Sequence, residues 1–358
     1  MDYQRKTIGI LTSGGDCPGL NAAIRGVAKP AVELYGMKVI GFANGYKGLI
    51  NGDALELSES DLSGILTLGG TILGTSREPF KEILKNNEKV EKMVLNYKKF
   101  GLDCLIVLGG NGTHKTANLL KKHGLNVLGL PKTIDNDLYG TDFTFGFHSA
   151  VDIATEVIDR IHSTAQSHGR AMIIELMGHK TGWLSLYSGI AGGADIILIP
   201  EIPYSMDSVI NKLNNRQARG KKFSIIVVAE GALSKKESEM SKKDFKEYRK
   251  NMSYSSIGYR IAAEIEKRTN LESRVTVPGY QQRGGTPSAY DRVLSTKFGI
   301  YALQLILQSE YGLGIGISNN KISAKPLEDI AGKLKYVPKD HILIKSGIAL
   351  GVCFGKTK

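Results

Sequence analysis

The chain has 358 residues, 42% hydrophobic and 23% charged, a soluble globular composition long enough for one large or two medium cores. Lys and Arg number 47 against 35 Asp and Glu, a net charge of +12 that invites polyanions or small phosphorylated ligands. No apolar run is long enough to span a membrane, the start MDYQRKTIGILTSGG lacks a signal peptide's h-region, and Cys17, Cys104 and Cys353 show no CxxC spacing, so the expected setting is a cytoplasm with reduced thiols.

In chain order, KTIGILTS (6 to 13) reads as a buried strand, LNAAIRGVAKPAVELYG (20 to 36) as a helix interrupted or kinked at Pro30, and MKVIGFA (37 to 43) as a second strand. Helix NEKVEKMVLNYKKF precedes strand DCLIVLGG, and helix THKTANLLKKH precedes strand LNVLGLP. The second half repeats the theme: helix HSAVDIATEVIDRIHSTAQ, strand RAMIIELMG, a helix around GWLSLYSGIAGG, strand DIILIPE, helix SMDSVINKLNNRQARG, strand KFSIIVVAEG, helix SIGYRIAAEIEKR and strand ESRVTVPG. This alternation predicts an α/β fold of mainly parallel sheets covered by helices, in two lobes sharing a cleft, with ligands at the carboxyl ends of strands. The densest charge cluster, KKESEMSKKDFKEYRK (235 to 250), mixes both signs and reads as a solvated helical face or mobile excursion rather than a nucleic-acid site.

The chemistry-bearing residues fall at those strand ends. TSGGDCPGLN (12 to 21) and GGNGTHKTA (109 to 117) each lead a strand into a helix through glycines that let backbone N–H groups approach an anion. Neither matches the dinucleotide fingerprint or the P-loop, and either alone could be a tight turn. LGGTILGTSREPF (68 to 80) adds a glycine-rich connection carrying Arg77, whose fork suits a phosphate. In LPKTIDNDLYG (130 to 140), an extended backbone would set Asp135 and Asp137 on one face, about 6.6 Å apart at Cα. Phosphate loops beside a carboxylate describe phosphoryl transfer onto a hydroxyl, in which the Asp accepts a proton.

GGDCPGLN, GGNGT, PKTIDND, MGHKTGW with GIAGGAD, and PGYQQRGGTPSAYDR, in this order, resemble the 6-phosphofructokinase family from about residue 7 to about residue 320. The resemblance implies two Rossmann-like three-layer lobes with the active site in the cleft between them. Residues 1-142 plus about 284-325 would form the phosphoryl-donor lobe, and 143-283 plus about 326-358 the sugar-phosphate lobe. The assembly would be a homotetramer or homodimer with shared sites. The implied reaction phosphorylates the 1-hydroxyl of fructose 6-phosphate from ATP with Mg²⁺; the alternatives are the same reaction from pyrophosphate and a catalytically weak sensor or partner subunit.

Carried over, Asp135 is the general base, Asp137 aids metal and charge placement, and Thr133 contacts substrate. Gly15 and Arg77 steady the transferring group, while Gly110, Asn111, Gly112, Thr113 and Lys132 line the donor. Arg283 binds the sugar phosphate, Glu230 holds sugar hydroxyls, and Met177, Gly178, His179 and Tyr280 complete the sugar site. Arg170 and Arg274 reach the phosphate bound by a neighbouring subunit. The metal would lie at Asn111 and Asp137, yet the family usually has Asp at 111 and Arg at 179, and many members have His at 280. Gly112 leaves room for a nucleotide α-phosphate where pyrophosphate users commonly carry Asp, which favours ATP, whereas Lys132 occurs in both classes. Arg25, Lys29, Asp195, Lys221 and Lys222 only partly match the family's effector site, so nucleotide activation is expected to be weak or absent. Kinases related to NAD or lipid kinases would share GGNGT but not the QRGG segment, and a nucleic-acid binder rests on charge alone.

Overall fold

A computed structural model describes residues 6–252 and 254–356. The first five residues, part of the N-terminal stretch read above for a signal peptide, lie outside that range. The strands are β1 Thr7–Ser13, β2 Lys38–Phe42, β3 Ala54–Glu56, β4 Cys104–Gly109, β5 Val127–Pro131, β6 Ala171–Leu176, β7 Ile196–Leu198, β8 Ser224–Ala229, β9 Ser273–Thr276, β10 Leu313–Ser318 and β11 Lys321–Pro326. They form two sheets, ordered β11-β10-β5-β4-β1-β2-β3 and β7-β8-β6-β9. With their helices they make the three-layer, mostly parallel α/β architecture the alternation predicts.

The chain divides into one unit of Met1–Ser149 with Arg283–Lys335 and another of Ala150–Gln282 with Tyr336–Lys358. The first contains the larger sheet. Its central strands β1, β4 and β5 run parallel and are buried along nearly their whole length, which is why they read as continuous apolar runs rather than alternating ones. One face packs Leu11, Leu105, Val107 and Val127 against Val90, Met93 and Tyr97 of helix Asn87–Lys99 and against Ala117 and Leu120 of helix Asn111–Lys122. Both edges are antiparallel, β3 on β2 and β11 on β10. The strand reading missed β3, β10 and β11, and the first unit runs past the break expected near 325, to Lys335. Helix Leu20–Tyr35 runs unbroken through Pro30, so the expected interruption is absent.

In the second unit β6, β7, β8 and β9 are all parallel, and Ile173, Ile196, Ile226 and Val228 are fully buried beneath Val209 and Leu213 of helix Met206–Ala218 and Ile261 and Ile265 of helix Ile257–Arg268. The charge cluster becomes helices Lys235–Ser238 and Lys242–Lys250, the second with no buried residue, as a solvated face requires.

Candidate active site

Three chain segments meet at the carboxyl ends of β1, β4 and β5, adjacent strands of the larger sheet. After β1 the chain turns through Gly14 (φ 91°) and Gly19 (φ 105°), left-handed conformations that favour glycine. The Arg77 connection is tied to this turn: Gly14 N–H donates to Ser76 O at 3.0 Å, and the Thr75 hydroxyl donates to Gly14 O at 2.8 Å. Gly15 faces the Arg283 guanidinium so closely that a Cβ would lie 3.2 Å from its central carbon. The buried Lys132 ammonium donates to Gly15 O. Burial pushes that ammonium below its ordinary pKa; Arg283 adds to the shift, while Cys17, Asp135 and Asp16 oppose it. Two cations and a glycine turn thus share one strand end, where an anionic phosphate would relieve their repulsion.

After β4 the helix begins at Asn111, two residues earlier than expected, so Asn111, Gly112 and Thr113 fill its first turn. Amides there lack intrahelical acceptors and suit an anion. A Cβ at Gly109 would fall 2.2 Å from Thr113 Oγ1, so the sequence needs glycine for strand and helix to pack this closely. Gly112 faces open space, with no described heavy atom within 4 Å of where its Cβ would be. The Asn111 amide is engaged at both ends: Oδ1 accepts from Gly332 N–H at 2.7 Å and Nδ2 donates to Lys333 O at 3.4 Å.

The segment after β5 departs from the extended geometry expected of it. The strand stops at Pro131, and Asn136 is left-handed (φ 51°), so the extended backbone that would set Asp135 and Asp137 on one face is interrupted between them. Asp135 is half-buried and Asp137 is only 6% exposed. The physical cause is the side chain between them: Asn136 Oδ1 accepts from Thr144 N–H at 3.0 Å and Nδ2 donates to Asp142 O at 3.2 Å, local bonds that offset the left-handed backbone. Thr133 Oγ1 accepts from Asp135 N–H at 3.0 Å, fixing the start of the bend. Lys335, which the sequence reading did not single out, donates from Nζ to Asn136 Oδ1, Thr141 O and Asp142 O at 3.0, 2.9 and 2.7 Å. Burial lowers its pKa to about 7, against the pull of Asp142 and Asp137.

Within the second unit, the loop after β6 and the loop after β8 clasp each other. His179 N–H donates to Glu230 Oε1 at 2.8 Å and Glu230 N–H to Leu176 O at 2.8 Å, with His179 itself left-handed at φ 52°. Met177, Gly178, His179 and Glu230 therefore belong to one constellation, and Met177 N–H donates to the buried Gln282 at 3.3 Å. Tyr280 stands 78% exposed in the turn Gly279–Arg283. Arg170 and Arg274 do not join them. Arg170 precedes β6 and Arg274 opens β9, at the opposite end of the sheet, where Glu272 binds Arg170 Nε at 2.7 Å and also pairs with Arg274. Of the effector-type residues, Asp195 is held by Arg216 at 2.6 Å and Lys29 pairs with Glu33.

The phosphofructokinase family model matches residues 7–306. The ATP-dependent 6-phosphofructokinase of Spirochaeta thermophila is 60% identical over 357 residues, 98% of either chain. The pyrophosphate–fructose 6-phosphate 1-phosphotransferase of Amycolatopsis methanolica is 44% identical over 335 residues, 93% of this chain and 97% of that one. Among solved structures, Pichia pastoris phosphofructokinase in the T-state superposes with a TM-score of 0.79 at 35% identity; the match covers 90% of this chain, which spans only 35% of that longer one. The chain belongs to the phosphofructokinase family.

Proposed function

We propose that this protein is a 6-phosphofructokinase that transfers the γ-phosphoryl group of ATP to the 1-hydroxyl of fructose 6-phosphate, a transferase of glycolysis acting in the cytoplasm. The observation that carries the reading is the meeting of two glycine turns, Lys132, Arg283 and the Asp135 bend at adjacent strand ends of one sheet. Phosphoryl transfer asks a protein for positioning and charge neutralisation, and this strand edge supplies both.

The donor phosphates would lie along the amides of Gly110, Asn111, Gly112 and Thr113, with Gly15 and Arg77 beside the transferring group. As the sugar oxygen bonds to phosphorus and the bond to the ADP oxygen breaks, Asp135 accepts the hydroxyl proton. It acts late, when that proton has become acidic. Thr133 keeps the Asp135 amide in place. Arg283 and Tyr280 bind the 6-phosphate, and Met177, Gly178, His179 and Glu230 hold the sugar. Arg170 and Arg274 serve a neighbouring subunit's phosphate in a homodimer or homotetramer.

Mg²⁺ fits this set only as an ion carried mainly by the donor. It takes one or two carboxylates plus phosphates and water, and no cluster of three His, Cys, Asp or Glu is placed to cage a metal among the described residues. Asp137 would supply a carboxylate, and Asn111 at most a weak neutral contact, since its amide oxygen already accepts from Gly332. When bound, the ion neutralises charge on the donor phosphates.

Open space at Gly112 supports ATP, and Lys132, buried against Gly15, keeps pyrophosphate as the second reading. Purified protein given fructose 6-phosphate and Mg²⁺ with either ATP or pyrophosphate decides. Bisphosphate from ATP is the expected result, and product from pyrophosphate alone reverses the donor assignment.

A further inference from the structure

The bend that carries Asp135 has no ladder of its own, yet its position would decide the rate of transfer. Besides the local bonds of Asn136 and Thr133, a segment nearly two hundred residues later in the chain holds it. Past helix Leu327–Ile330, Gly332 N–H donates to Asn111 Oδ1 at 2.7 Å, and Lys333 O accepts from Asn111 Nδ2 at 3.4 Å. Leu334 then pairs antiparallel with Leu138. Lys335 N–H donates to Asp137 O at 2.8 Å, and its ammonium closes the bend from inside through Asn136, Thr141 and Asp142. Three acceptors surround an ammonium that has three donors. The Lys333 side chain lies over the Tyr139 ring, 5.5 Å from its centre. All of these residues belong to the first unit.

We propose that residues 332–335 form a strap that fixes the Asp135 bend against the Asn111 loop, with Lys335 a positioning residue for phosphoryl transfer and Asn111 the strap's anchor on the donor side. The proposal rests on the kinase reading for its consequence but not for its geometry. It also gives both ends of the Asn111 amide a partner. An aspartate there could still accept from Gly332 but could not donate to Lys333 O, and its charge would repel that carbonyl. This chain has used the position to tie two loops together. A loop displaced by about 1 Å costs on the order of 100-fold in rate when catalysis is positioning.

The test is Lys335→Met, which keeps the stem and removes the ammonium. Its kcat is expected to fall about 10- to 100-fold, with KM for fructose 6-phosphate and for ATP within about threefold. Amide hydrogen exchange should quicken at 136–144 and stay unchanged in β1 and β4. Lys333→Ala should keep wild-type kcat. A wild-type kcat in Lys335→Met, or a loss carried wholly by KM or by the unfolded fraction, overturns the proposal. If Lys335→Met does not fold, Asn111→Ala leaves Lys335 in place and should speed exchange of the Gly332 amide and lower kcat; no change in either contradicts the strap. If the wild type forms no bisphosphate with either donor, the kinase reading fails. Exchange then decides the strap alone, faster exchange at 136–144 in Lys335→Met supporting it and unchanged exchange overturning it.

Discussion

Asn136 shows how one residue sets the geometry of two others. Its left-handed backbone turns Asp137 into the protein and leaves Asp135 half-buried, so two carboxylates that look equivalent in TIDND have different surroundings. Only the reachable one suits proton transfer from a substrate. His148 makes a second residue-scale point. Its ring lies 4.0 Å from Tyr290 and 4.7 Å from Phe143, and Nε2 has no hydrogen-bond partner among the described residues. Burial pushes its pKa from 6.5 down to about 4. Between those values the unfolded chain binds the proton and the folded chain does not, so stability rises with pH there and is lost as pH falls from 6.5 towards 4. The ring is partly exposed, which holds the effect to about 1 kcal/mol. Urea titrations of His148→Phe should therefore show a flatter pH dependence across that window than the wild type; an identical slope would count against it.

At the scale of elements, helices Leu20–Tyr35 and Ala289–Leu307 touch backbone to backbone. A Cβ at Gly299 would fall 2.6 Å from Gly26 C and 2.8 Å from Ala23 O. Neither backbone has room to yield, so Gly299→Val should cost about 1–3 kcal/mol by overpacking, read as a lower urea midpoint. An unchanged midpoint would mean the helices slide apart freely. The same crossing shows what sequence patterning missed. The apolar runs of β1, β4, β5, β6 and β8 were legible because a parallel strand buried on both faces has nothing polar to interrupt it. The edge strands β3 and β11 were not, because half-exposed edges such as Lys321–Pro326 carry mixed residues. The glycine turns were legible as turns. The stretch 130 to 140, expected to be extended, bends because Asn136 closes on Thr144 and Lys335, a tie formed only once distant chain segments meet. Lys335 itself lies in a polar stretch with no periodicity and no motif, and only its contacts reveal it.

At the scale of the whole molecule, the resemblance placed Arg170 and Arg274 in a neighbouring subunit's site, and both lie at the opposite end of the smaller sheet from Met177, Gly178, His179 and Glu230. Shared sites make a distinct prediction. Arg170→Ala and Asp135→Ala proteins, each nearly inactive alone, should regain part of the wild-type rate after being unfolded together and refolded as a mixture. Hybrid oligomers would then contain some sites with both wild-type residues. A mixture no more active than its components would place each site within one chain.

The central claim is that the Asp135 carboxylate takes the proton of the sugar alcohol during transfer. Its most direct test is the rate of fructose 1,6-bisphosphate formation from Mg–ATP by Asp135→Asn, which keeps the shape of the side chain and removes its basicity. The account predicts a fall in kcat of about 10²- to 10⁴-fold with sugar-phosphate affinity little changed. A variant that turns over as fast as the wild type would contradict it.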